Sequence, residues 1–254
     1  MMQIKKYLVL LLSLSLLAAP STAAAAIAFD SGEGTEPITV TSPYTQSTHT
    51  ASGSNRILFV HLITSAVTTG VSVTYDGVSM TLLTATQTGT AYKGYVFYLI
   101  APNTTAGAVT SVTFSGQLID YAAASYTGAS QAADVIQDVA GHVQKGTASA
   151  ASYTSQIDSS QATSQDNSWQ LGIVWIEATS VIAGAATTLR VNPGAANLSL
   201  FTDNNAAITP AGTNSLNWTP SVSQRGAWIS WTVAPAVAVA AASSYGTVVL
   251  FGDW

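Results

Sequence analysis

The side chains able to do acid–base, nucleophilic or metal chemistry are few in this chain of 254 residues: three histidines, twelve acidic groups, seven basic groups and no cysteine. With no thiol, a thiol enzyme, a zinc–thiolate centre and a disulfide scaffold are excluded. His49 lies in a Thr/Ser-rich stretch and His142 shortly precedes Gln144-Lys145-Gly146. His61 sits inside the most apolar run, which reads as a buried, hydrogen-bonded core histidine. No His-x-His or His-Glu-x-x-His spacing occurs, so a histidine metal centre has no support. A serine nucleophile lacks its Gly-x-Ser-x-Gly elbow.

Carboxylates remain, and cleaving a glycosidic bond requires two of them across a sugar. Glu33 and Glu36 fall in Ser-Gly-Glu-Gly-Thr-Glu, read as a flexible segment carrying a solvated pair. Glu177, the third glutamate, ends the apolar run 169–176 and shares a strand face with Trp169, Leu171, Ile173 and Trp175. A carboxylate beside aromatic rings suits sugar binding or an acid role, against the simpler reading that it emerges into water. Asp134 and Asp138 are the candidate second carboxylate. Asp203-Asn204-Asn205 offers three oxygen ligands in a row, which is calcium chemistry, although the same residues are common turn formers. Tyr44 and Tyr92 read as loop aromatics able to stack on a sugar ring, while the tryptophans at 169, 175, 218, 228 and 231 read as strand core. No residue is assigned as catalytic. The ligand-binding candidates are therefore Tyr44, Tyr92, Glu177, Asp203, Asn204 and Asn205, and calcium is the one cofactor entertained.

These side chains need a scaffold, and composition restricts it. Hydrophobic residues make up 48% of the chain and charged ones 7%, which excludes disorder. Seven Lys and Arg cannot build the basic stripe that nucleic acid demands. Residues 1–26 read as a secretory signal peptide: Lys5 and Lys6 precede the apolar run 7–17, then come Pro20 and the small residues Ala24-x-Ala26. The apolar run is too short for a membrane span. Without Lys5 and Lys6, five basic groups face twelve acidic ones, a charge of −7. Residues 27–234 then make one large domain, followed by a tail, 235–254, that could add a strand.

Within the domain, extended structure dominates, because Thr, Ser, Ala, Gly and Val are abundant and no convincing amphipathic helix appears. The run 57–64 is apolar on both alternating faces, predicting a strand buried on both sides. Residues 71–75 lead into Asp76-Gly77, the dipeptide of a two-residue hairpin turn, with the return at 80–83. Further strands are predicted over 92–100, 109–114, 120–126, 169–176, 186–191, 198–202, 216–219 and 227–233, punctuated by Pro102, Gly116, Gly128, Pro193 and Pro220. Nothing repeats at a fixed period, which disfavours a propeller or solenoid.

The order of Ile27-Ala28-Phe29-Asp30, Ser54-Asn55-Arg56-Ile57-Leu58, Val73-Thr74-Tyr75-Asp76-Gly77-Val78-Ser79-Met80-Thr81, Phe97-Tyr98-Leu99-Ile100-Ala101-Pro102, Ala124-Ser125-Tyr126-Thr127-Gly128 and Asp166-Asn167-Ser168-Trp169 resembles a widespread group of secreted β-sandwich modules of bacterial, phage and metagenomic surface proteins. The resemblance runs from about residue 27 to 235, includes the closing strand Ala227-Trp228-Ile229-Ser230-Trp231, and does not extend to the tail 236–254. It implies an antiparallel jelly-roll or lectin-like sandwich and carries over no functional residue. The expectation is an all-β, secreted or cell-surface, non-catalytic binding module. Its expected partner is a glycan or surface polymer, with no nucleic acid and no membrane span in the mature chain. The alternatives are a polysaccharide-acting enzyme using Glu177 and an aspartate, and a structural module of a surface layer or fibre.

Overall fold

The computed structural model describes residues 25–36, 40–88, 91–106, 108–136, 143–153, 157–176, 181–194, 199–221 and 224–237. Among them the chain is all β. In order, the strands are β1 (Ala28–Thr35), β2 (Tyr44–Gln46), β3 (Ile57–Ser65), β4 (Thr69–Tyr75), β5 (Val78–Ser79), β6 (Thr81–Thr88), β7 (Tyr92–Ile100), β8 (Thr110–Ser115) and β9 (Leu118–Thr127). There follow β10 (Val143–Tyr153), β11 (Ile157–Ala162), β12 (Trp169–Ile176), β13 (Val181–Ala183), β14 (Thr188–Val191), β15 (Ser199–Asp203), β16 (Thr213–Pro220) and β17 (Gln224–Val233). No helix of the described residues is long and apolar enough to cross a membrane.

Four antiparallel sheets result. Sheet I has the order β1-β9-β3-β7-β6, sheet II β2-β8-β4-β5, sheet III β10-β17-β12-β15-β14 and sheet IV β11-β16-β13. The orders are related. Substituting β10 to β17, in sequence, for β1, β2, β3, β4, β6, β7, β8 and β9 turns sheet I into sheet III and sheet II into sheet IV, with β5 alone left over. Register follows suit: Phe59 lies between Tyr98 and Ala124 in sheet I as Leu171 lies between Asp203 and Trp231 in sheet III. One strand order thus occurs twice in the chain.

That alternation fills three apolar clusters. From β3, Ile57, Phe59 and Ile63 pack with Leu171, Ile173, Phe201 and Trp231 of sheet III. Its other face sends Leu58, Val60 and Leu62 against Val73, Val112 and Phe114 of sheet II. On sheet III, Val174, Ile176 and Leu200 meet Val181, Leu216 and Trp218 of sheet IV. Sheets I and III are therefore covered on both faces, which is why 57–64 is buried throughout although its pairing is antiparallel. Burying each such side chain stabilises by about 1.5–3 kcal/mol.

The Asp76-Gly77 turn is present: φ is 49° at Asp76 and 79° at Gly77, joining the paired Tyr75 and Val78. The return differs from expectation. It lasts only for Val78 and Ser79, after which Met80 buries its side chain in the second cluster and β6 joins sheet I. The strand expected from 186 starts at Thr188, because Ala186 has φ 58° and cannot be extended. At the margins, Ala25 N donates to Ala236 O (2.9 Å) and Ala236 N to Gly128 O (2.7 Å), and Pro235 makes a single bridge with Ala129. The expected signal segment up to residue 24 and the tail beyond 237 lie outside the described residues.

Candidate functional site

The segment read as flexible, Ser31 to Glu36, is mostly strand. Its glycines serve close approach instead of a turn: a Cβ on Gly32 or Gly34 would stand 2.5 Å or 2.7 Å from the Val191 side chain. Removing side chains from that face lets β1 lie against β14 and sends Ser31, Glu33 and Thr35 to the other side, beside Ser125, Ala123 and Tyr121 of β9. A register shift between Phe29 and Ser31 makes Asp30 the extra residue of a bulge, and this brings its carboxylate to the same side.

The carboxylates are held by donors. Glu33 Oε1 accepts from the Tyr121 hydroxyl (3.0 Å) and Oε2 from the Thr48 hydroxyl. Asp30 Oδ2 accepts from Ser52 N (2.8 Å) and Ser125 Oγ (2.7 Å), and Oδ1 from the Ser52 hydroxyl. Ser31 Oγ donates to the Thr50 carbonyl (3.0 Å), fastening the segment 47–52 along the edge of β1. Tyr44, the first residue of β2, sets its ring edge-on to Tyr121 at 5.8 Å. The cluster grades from core to water: Tyr121 and Ser125 are buried, Asp30, Glu33 and Tyr44 half-buried, Thr48 and Ser52 exposed.

Electrostatics separates the two acids. Burial raises the Glu33 carboxyl above its ordinary value against the Tyr121 hydrogen bond. At Asp30 burial pulls upward too, but the Ser52 and Ser125 hydrogen bonds outweigh it and the net shift is down. Burial, then the Glu33 charge, raises the Tyr44 hydroxyl. Behind the cluster His49 is 2% exposed, its ring 6.4 Å from Tyr75 and neither nitrogen hydrogen-bonded. Burial brings its pKa down to about 4, opposed by Asp30. The surface thus presents two carboxyl groups, several hydroxyls and one half-buried aromatic ring.

Of the residues singled out in the sequence, Tyr44 belongs here, though as a strand residue packed against the second apolar cluster and not as a loop aromatic. Tyr92 is the first residue of β7, not a loop aromatic, and packs against the cluster between sheets I and III. Asp203 ends β15 and is fully buried, its Oδ2 taking the Arg190 Nε–H at 2.6 Å and the Tyr126 hydroxyl at 2.8 Å. Arg190 lies over the Phe29 ring at 4.7 Å and also donates to Asn205 Oδ1. Asn204 Oδ1 accepts from Gln170 N (3.2 Å) and its amide donates to Ala206 O (2.8 Å). The Asp-Asn-Asn run is a turn whose aspartate is paired with an arginine. Asp134 is exposed. Asp138, His142 and Glu177 lie outside the described residues. His61 is buried as expected but has no hydrogen-bond partner.

Asp30, Thr48, Ser52, Tyr121 and Ser125 were not found from sequence. The available signal was the alternation Ser31-x-Glu33-x-Thr35, obscured by glycines that suggested flexibility. Among the described residues no group of three or more His, Cys, Asp and Glu is placed to hold a metal ion. In comparison with known proteins, no family model, no curated protein and no solved structure matches the chain.

Proposed function

We propose that this protein is a secreted, non-catalytic binding module of β-sandwich, jelly-roll or lectin-like organisation, whose ligand is a polysaccharide or glycoconjugate. The observation that carries the reading is the Asp30–Glu33–Tyr44 cluster: fixed carboxylate acceptors beside a half-buried ring, at a surface lined with hydroxyls. Sugars present many hydroxyl donors and a flat apolar face, which such a set accepts by hydrogen bonding and stacking. Net negative charge and scarce Lys and Arg favour a neutral glycan over an anionic polymer.

The test is a glycan array followed by polysaccharide pull-downs with the exported chain, alongside Glu33→Gln and Tyr44→Ala. A hydrogen bond to a charged acceptor contributes about 1.5–3 kcal/mol, so Glu33→Gln should weaken binding about tenfold or more. Tyr44→Ala, altering a half-buried side chain, should weaken it with the melting temperature held within a few degrees. Binding that both variants keep would remove the site from this cluster. Reducing ends released by the wild type and lost in Glu33→Gln would replace the binding module with an enzyme.

A further inference from the structure

The second occurrence of the strand order has an edge placed like the one that carries Asp30, Glu33 and Tyr44. There β10 flanks β17 as β1 flanks β9, and β11 opens sheet IV as β2 opens sheet II. On β17, Trp228 and Ser230 lie two residues apart and both turn toward sheet IV, Trp228 against Trp218 and Ser230 against Ser159. Trp228 is half-buried, whereas Trp169, Trp175, Trp218 and Trp231 are buried. Its ring stacks on that of Trp218 at 6.5 Å and 28°, and Trp218 is fixed in turn by its Nε1–H bond to the Thr202 hydroxyl (3.1 Å). Across the ladder on the edge strand Trp228 meets Gly146, which sets no side chain beside the ring.

Beside this ring stands a run of amides and hydroxyls. Gln161 Nε2 donates to the Ser230 carbonyl (2.8 Å) and hydroxyl (2.9 Å), and the Ser230 hydroxyl meets that of Ser159. Gln170 Nε2 donates to the Ser159 carbonyl (3.1 Å), and Asn214 Nδ2 donates to Gln170 Oε1 (3.0 Å). The run leads from the buried Gln170 out to the half-buried Asn214. One acceptor is left over: Gln161 is 1% exposed, and its Oε1 has no hydrogen-bond partner. Native folds seldom leave a buried acceptor so, and a hydroxyl donor supplies what it lacks. Two residues span about 7 Å of strand, so one oligosaccharide reaches both the ring and the amides.

We propose that this edge is a second glycan-binding site, with Trp228 as the ring on which a sugar stacks and the Gln161 and Asn214 amides as its hydrogen-bonding partners. It rests on the glycan reading and adds to it a second point of attachment on one polymer, which raises avidity beyond that of either site. A tryptophan offers the apolar face of a sugar a broad flat surface, and amides both donate and accept, so hydroxyls of either sense are served. Every group named is uncharged, which suits a neutral oligosaccharide.

The test is oxidation of the exported wild-type chain by limiting N-bromosuccinimide, with and without an excess of cellohexaose, chitohexaose, laminarihexaose or mannohexaose, followed by peptide mass mapping. Calorimetry with the same four sugars shows which of them bind. Trp228 should be the first oxidised of the tryptophans from 169 to 231, since the other four are buried. A hexasaccharide that binds should protect it at least several-fold. Glu33→Gln, which alters the other site, should leave that protection in place. A hexasaccharide that binds and leaves Trp228 as oxidisable as before, or protection that disappears in Glu33→Gln, would overturn the second site and spare the first. Failure of all four to bind would overturn it as well; the glycan reading itself stands or falls on the array.

Discussion

Replacing Arg190 by methionine keeps most of the side-chain length and removes the only cation paired with Asp203 among the described residues. The Asp203 carboxylate is fully buried and accepts three groups: Arg190 Nε at 2.6 Å, the Tyr126 hydroxyl at 2.8 Å and Asn205 N at 2.9 Å. After the substitution two neutral donors would face a full negative charge in the interior. Breaking a buried pair from one side costs about 3–5 kcal/mol, because the abandoned charge keeps its desolvation penalty. Loss of the stack over Phe29, at 4.7 Å, adds about 0.5–1 kcal/mol. For a unit of this size 1 kcal/mol moves the melting temperature by about 2–4 °C, so Arg190→Met should melt about 10 °C lower. Adding Asp203→Asn removes the stranded charge and leaves an amide oxygen for Tyr126, so the double variant should recover at least about 2 kcal/mol over Arg190→Met. Urea denaturation of the wild type, both single variants and the double variant gives the coupling directly. A single-variant loss below about 1 kcal/mol, or strict additivity in the cycle, would refute the claim that this pair is a buried charge contact.

Two further outcomes are expected. His61 has its pKa brought down to about 3 and His49 to about 4, both by burial, so the unfolded chain binds more protons than the folded one below pH 6.5 and stability falls as pH drops toward those values. Asp120, raised to about 6 by burial, pulls the other way, so the discriminating quantity is the difference between wild type and His61→Leu: about 1.4 kcal/mol less loss per pH unit in the variant between pH 6 and 4, read from urea midpoints. Parallel profiles would contradict it. Gly94→Ala places a Cβ 2.3 Å from the Trp175 ring, which is 1% exposed, and should lower stability by about 1–3 kcal/mol in the same assay; an unchanged midpoint would mean that the tryptophan has room to move.

Local chemistry was legible in the sequence wherever neighbours in the chain decide it. Alternation fixed β3 as a strand with two buried faces and delimited β12 over 169–176, since period 2 needs only the order of side chains. Asp76-Gly77 announced its turn because positive φ at two successive residues is a local demand. Composition alone confined the fold to strands. The Asp203-Asn204-Asn205 run was legible as a turn, but its anchor was not, since Arg190 lies thirteen positions away on a neighbouring strand.

Only the tertiary structure could supply what depends on strands distant in the chain. Gly32 and Gly34 look flexible until Val191 is seen against them, and Glu33 looks solvated until Tyr121, 88 residues on, donates to it. The twofold occurrence of one strand order was not read from the sequence, because hydrogen bonds between backbones define it and many side chains satisfy the same pattern. Asp120 carries no local sign of its burial, since that follows from sheet I closing against sheet III. The residues determined which segments are extended and which faces are apolar; long-range pairing decided which acids meet, because a carboxylate's role is set by the donors and charges within a few ångströms of it and those come from other strands.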